Sequence, residues 1–120
     1  MKAETSKIIE NYRNYAILHW DSSREGDYKT ANRNYAKLTK IFNQLLNNKE
    51  LQEKILIQLL HDSSFAVQVW AAAHCLGIGR YTDEALSRLE CISNLNDDEA
   101  PRFEARMTLQ VWKEKGTLTF

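Results

Sequence analysis

At 120 residues the chain has the length of one domain, enough to bury most of its apolar surface without disulfides or metals. Sixteen Lys and Arg balance sixteen Asp and Glu, which excludes the strong global field that draws a protein to nucleic acid or to an anionic membrane. One Pro, four Gly and runs of Ala, Leu, Lys, Glu and Gln point to an all-helical chain. No stretch approaches the roughly 20 apolar residues needed to span a bilayer. The start, MKAETSKIIENYRN, is too polar for a signal peptide, so a cytoplasmic protein is expected. Cys75 and Cys91 are too few for a secreted disulfide framework and are expected to stay reduced.

In chain order, Ile8, Ile9, Tyr12, Tyr15, Ala16, His19 and Trp20 recur at steps of three and four and predict helix one over residues 3–22. The polar run from Asp21 to Gly26 ends it, and Asp27 is positioned to cap helix two over 27–47. Tyr28, Ala31, Tyr35, Leu38, Phe42 and Leu45 form its expected buried stripe, with Lys29, Arg33, Lys37 and Lys40 opposite. After the turn at Asn47-Asn48, helix three runs over 49–60, with Leu51, Ile55, Leu56, Leu59 and Leu60 inward and Gln52, Glu53 and Gln58 outward.

The stretch Phe65–Gly79, FAVQVWAAAHCLGIG, is apolar almost all round, which marks the middle of a small core. Asp62, Ser63 or Ser64 caps this helix four, and it ends at Gly77 or Gly79. Thr82 is expected to cap helix five over 83–95, with Ala85, Leu86, Leu89, Ile92 and Leu95 buried. Pro101 stands at a first helical position of helix six, 100–115, with Asp98 and Glu99 beside the positive end of its dipole. Phe103, Met107, Val111 and Trp112 form its expected core face, and Gly116 stops it.

Six helices joined by short loops should pack as consecutive antiparallel pairs, and pairs of this length suggest a short α-solenoid in a single domain over 1–120. Helices two, four and six would then line one face. Residues 1–60 carry ten basic and seven acidic groups, a net +3, and residues 61–120 carry six and nine, a net −3. On helix two Lys29, Arg33, Lys37 and Lys40 follow at steps of four, four and three, and Arg102 and Arg106 repeat the step on helix six. Flanking helix four, they would form a positive groove about Gln68 suited to an acidic protein surface or a phosphate backbone; the alternative is a solvated helix face. Tyr81 is the aromatic expected to be most exposed and a candidate interface anchor. Asp97, Asp98 and Glu99 complete the candidate partner-binding set.

Chemical readings are weaker. His61, His74, Cys75 and Cys91 lack ligand spacing, since adjacent His74 and Cys75 point about 100° apart around a helix, so no metal site is expected. His74 is expected at a helix boundary with its ring hydrogen-bonded, and Cys75 as a small hydrophobe. Asp83, Glu84 and the acidic run 97–99 read as helix-start charges and Asp62 as a cap. There is no phosphate loop, nucleophile elbow or dinucleotide fingerprint, so neither an enzyme nor a cofactor is expected. Trp70 and Trp112 read as core.

The segment HDSSFAVQVWAAAHCLGI from His61, the segment GDYKTANRNY from Gly26, and Ala105, Met107, Leu109 and Trp112 followed by Gly116 resemble a family of small bacterial HEAT-like helical domains. The resemblance covers residues 24–118, with Lys113-Glu114-Lys115 standing where a shorter spacing before Gly116 is expected. Members are often encoded beside polymorphic toxin genes. The resemblance therefore implies a HEAT-like immunity protein of a contact-dependent growth inhibition or related system, with the C-terminal domain of a cognate toxin as its partner. Outside that complex a monomer is expected. The other class left open is a HEAT-like nucleic-acid-binding or general protein-interaction module; net neutrality and the lack of exposed aromatics among the basic residues count against nucleic acid.

Overall fold

The computed structural model describes residues 2–120 and is all-α, with six helices and no strand among the described residues. They are α1 (Lys2–Glu25), α2 (Tyr28–Leu46), α3 (Lys49–Leu60), α4 (Phe65–Ile78), α5 (Thr82–Ser93) and α6 (Arg102–Lys115). The chain falls into two compact units, Met1–Leu56 and Ile57–Phe120. Residues 57–60 are uncharged, so the first unit carries the net +3 and the second the net −3.

In the first unit α1 packs along α2, the two joined by the short link Gly26-Asp27 of a helical hairpin. α1 runs three residues beyond its expected end. Ser22 is buried and its hydroxyl donates to the carbonyl of Leu18 one turn back, so it stays inside the helix instead of capping a turn. Gly26, with φ of +79°, makes the actual stop. Asp27 caps α2 as expected: one carboxylate oxygen accepts the Thr30 N–H at 3.2 Å and the other its hydroxyl at 2.7 Å.

The buried stripe of α2 is rotated from the sequence expectation. Ala31, Leu38, Phe42 and Leu45 are buried, but Asn34 and Ile41 complete the line, while Tyr28 is 68% and Tyr35 39% exposed. Asn34 tolerates burial because its Nδ2 donates to the Thr30 carbonyl at 2.9 Å. On α3 the bounds agree with expectation, yet Gln52 points inward rather than out. Its Nε2 donates to the Leu45 carbonyl at 2.6 Å, one of the acceptors that the end of α2 leaves without a helical partner.

In the second unit α5 packs against α4 and against α6, and α4 meets α6 over a short stretch. α4 is buried on every side, from Ala66 to Val69 and from Ala71 to Leu76, as its composition requires. Ser64 caps it, its Oγ accepting the Val67 N–H at 3.5 Å. Gly79 closes it at φ of +83°, where its own N–H and that of Arg80 both reach the Cys75 carbonyl, at 2.8 and 3.0 Å.

The later helix starts differ from expectation. Thr82 is the first residue of α5, not its cap; Tyr81 holds the cap position in the left-handed region, φ 56°, with no side-chain cap bond. Pro101 likewise precedes α6 rather than opening it. On α6 the buried residues are Ala105 and Leu109, whereas Phe103 is 67% and Met107 41% exposed, and Val111 and Trp112 are half-buried. Two apolar lines run along this helix, and packing on α5 selects the one through Ala105. Trp70 is also half-buried rather than enclosed.

Candidate functional site

Four side chains of the first unit form the most conspicuous charged surface. Lys29, Arg33, Lys37 and Lys40 are all exposed along α2, and among the described residues none is in a salt bridge. Lys37 lies over the Tyr15 ring at 5.2 Å from its centroid, and Arg33 acts on the Asp27 carboxylate through space. The Asp27 carboxyl is held below its usual range first by its hydrogen bonds to Thr30 and then by Arg33. A net charge of four on one helix face is therefore turned to solvent with little internal compensation.

Beside this row stand two aromatics that sequence reasoning had placed in the core. Tyr28 is largely exposed, and Tyr35 is exposed while tilted against His19, ring centroids 6.4 Å apart. Their seven-residue spacing puts them on one flank of the helix. A signal was present in the sequence, since Asn34 and Ile41 offer an alternative stripe at the same period.

The other expected residues belong to the second unit. Gln68 is 7% exposed; its Nε2 bonds the carbonyl of Asp62, and its Oε1 has no hydrogen-bond partner among the described residues. It braces the start of α4 from inside, which removes it from any exposed binding set. Arg106 is committed as well, donating from Nε and Nη2 to the Ser93 carbonyl at 3.2 and 2.9 Å. Arg102 lies 3.7 Å from Asp98. Asp97, Asp98 and Glu99 are exposed in the loop before α6, where Asp97 accepts the Glu99 N–H at 2.8 Å. Tyr81 is half-buried with the Arg80 guanidinium 5.1 Å from its ring, and is less exposed than Tyr28 or Phe103.

His74 lies within α4 rather than at its boundary and is completely buried. Its ring sits 5.5 Å from that of Trp70 and 4.9 Å from that of Phe120, edge-on to the latter. Burial lowers its pKa from 6.5 to about 3, so the ring is neutral. Cys75 is buried, and desolvation with Glu84 nearby pushes its thiol up to about 12, which makes it inert as a nucleophile. Cys91 is exposed and free.

A shallow open groove of about 430 Å³ is lined by His61, Asp83, Glu84, Ser87, Arg88 and Cys91 together with Leu60. Arg88 reaches His61 Nδ1 at 3.5 Å, and Glu84 lies 3.8 Å from Nε2. This exposed arrangement gives His61 polar neighbours but no enclosed cleft. Among the described residues no group of three or more His, Cys, Asp or Glu is placed to hold a metal ion, and no helix is long and apolar enough to cross a membrane. Compared with known protein families, curated proteins and solved structures, the chain matches none.

Proposed function

We propose that this protein is an immunity protein that binds the C-terminal domain of a cognate bacterial toxin in the cytoplasm and neutralises it by blocking its active site or its access to target. The reading needs no catalysis or cofactor from this chain. The resemblance in the segments from Gly26 and His61 suggests it. The observation that carries it is the row Lys29, Arg33, Lys37 and Lys40, exposed on the packed α1–α2 hairpin and without salt-bridge partners among the described residues. Charges left unpaired at a surface speed association with an oppositely charged partner and set its orientation, while a few aromatic or Arg anchors supply most of the affinity. A stack of HEAT-like hairpins would present such a row preorganised.

Co-expression with the toxin domain encoded immediately upstream tests the proposal. A co-purifying complex and protected cells are expected, with association slowed by Arg33→Glu combined with Lys37→Glu. Absence of both complex and protection would refute it.

The exposure of Tyr28 and Tyr35 favours a second reading, a nucleic-acid-binding module in which the cations meet phosphates and the tyrosines stack on bases. Binding to single-stranded RNA or DNA that falls steeply with salt and is lost in Tyr28→Ala would support it. No detectable binding at low salt would remove it.

A further inference from the structure

On α2 the cations and the exposed aromatics occupy different edges. At about 100° per residue, Tyr28 and Tyr35 lie about 100–180° round the helix from Lys29, Arg33, Lys37 and Lys40. Asn32, Ala36 and Asn43 fall in the sector between the two edges, and all three are exposed. Leu38, Ile41, Phe42 and Leu45 are buried on the remaining side.

No carboxylate answers the cations along the length of the row. Residues 28–48 contain these four cations and no Asp or Glu. Where α1 meets the row, Lys37 lies over the Tyr15 ring, and residues 11–19 of α1 contain no Asp or Glu either. Glu10 and Asp21, the next acids on that helix, fall about 140° and 120° round it from Tyr15. Glu25 and Asp27 stand at the hairpin end, where Asp27 acts on Arg33 through space and accepts from Thr30. With both of them counted against the row, two of its four charges remain.

We infer that this side of α2 docks an acidic amphipathic helix of a protein partner, laid over Asn32, Ala36 and Asn43, with carboxylates toward the cations and apolar side chains toward Tyr28 and Tyr35. The inference deepens the immunity reading and rests on it only for the partner's identity: the helix would belong to the toxin domain. Spacing and charge select the occupant. The cations repeat at intervals of about 6 Å over about 17 Å, and a second helix with carboxylates at steps of four, four and three repeats at the same interval. The short side chains between the edges let two helix axes approach to about 8–10 Å. A nucleotide stacked on a tyrosine keeps its phosphate one sugar away, whereas a helix about 10–12 Å across separates these tyrosines from the cations. An anionic bilayer calls for an apolar face to insert, and the apolar face of α2 is buried in the core. A symmetric pairing of two copies would set the row against itself.

The probe is a synthetic peptide about 18 residues long, with Glu at steps of four, four and three on one edge and Leu on the next, titrated into the full ¹⁵N-labelled chain. One control carries Lys in place of Glu, and another scrambles the order so that the Glu residues share no face. Amide shifts confined to α2 and the adjoining turns of α1 are expected. Affinity should fall about tenfold or more in Arg33→Glu with Lys37→Glu and, separately, in Tyr28→Ser. These positions are exposed, so helicity by circular dichroism should be unchanged, and the charge-reversed variant should gain affinity for the Lys peptide. The inference is overturned if the Glu peptide fails to bind, maps elsewhere, binds both variants as it binds wild type or is matched by the scrambled peptide. Tighter binding of oligouridylate or of phosphatidylserine vesicles on the same amides would overturn it in favour of a nucleic acid or a lipid surface. Adding the toxin domain separates the two readings. A protective complex that leaves the α2 amides unmoved overturns this docking site and keeps the immunity reading, whereas peptide binding as expected without any toxin complex keeps the site and removes the toxin as its partner.

Discussion

Lowering the pH from about 7.5 to about 5 should destabilise the second unit through His74. The folded ring, enclosed by Trp70 and Phe120, holds no proton until about pH 3, whereas the unfolded chain takes one below 6.5. Between those values the unfolded state binds more protons, so the contribution of the neutral ring is complete above 6.5 and is lost as pH falls through the window. At about 1.4 kcal/mol per pKa unit the loss reaches about 2 kcal/mol by pH 5 and about 3 by pH 4. Urea midpoints followed by tryptophan fluorescence at the two pH values measure it. The same pair of measurements on His74→Gln subtracts the shared contributions of Asp27, Glu50 and His19, whose pKa values are also lowered. Wild type should lose about 2 kcal/mol more than the variant between the two pH values. Equal losses would refute the idea that His74 is buried in its neutral form.

Three further outcomes follow from the packing. Gln52→Ala should cost about 1–1.5 kcal/mol because it removes a buried hydrogen bond to the Leu45 carbonyl, which keeps the Asn48 N–H, whereas exposed Gln58→Ala should stay within about 0.5; equal effects in urea unfolding would contradict the inward placement of Gln52. Gly79→Ala should cost about 1–2 kcal/mol in thermal unfolding, all of it backbone strain, since a methyl group there meets nothing within 4 Å. A maleimide should label Cys91 in the native protein and Cys75 only in denaturant; two labels per native chain by mass spectrometry would show that Cys75 is accessible.

The candidate surface was only partly legible in advance. The α2 cations could be read from spacing alone, because charge periodicity on a helix is a local property. Whether a cation was available could not. Arg106 is consumed by the carbonyl of Ser93, thirteen residues away, and Gln68 is turned inward by Asp62. The exposed aromatics were hidden for a related reason: Tyr28, Tyr35 and Phe103 fit a helical apolar pattern as well as the residues that are buried instead.

Six helices, the full extent of α3, the Asp27 cap, the stop at Gly116 and the all-round burial of α4 were determined by the sequence, which narrowed the α4 cap to Asp62, Ser63 or Ser64 and its end to Gly77 or Gly79 and left the choice of Ser64 and Gly79 to the structure. Caps, glycine stops and an unbroken apolar run act within a turn or two of chain, where spacing is sufficient information. Which face of α2 and α6 is buried was decided only by tertiary structure, as was the fate of Ser22, Gln52 and His74. These helices carry more apolar residues than one neighbour can cover, so their rotation depends on the partner surface and on distant carbonyls that need a donor.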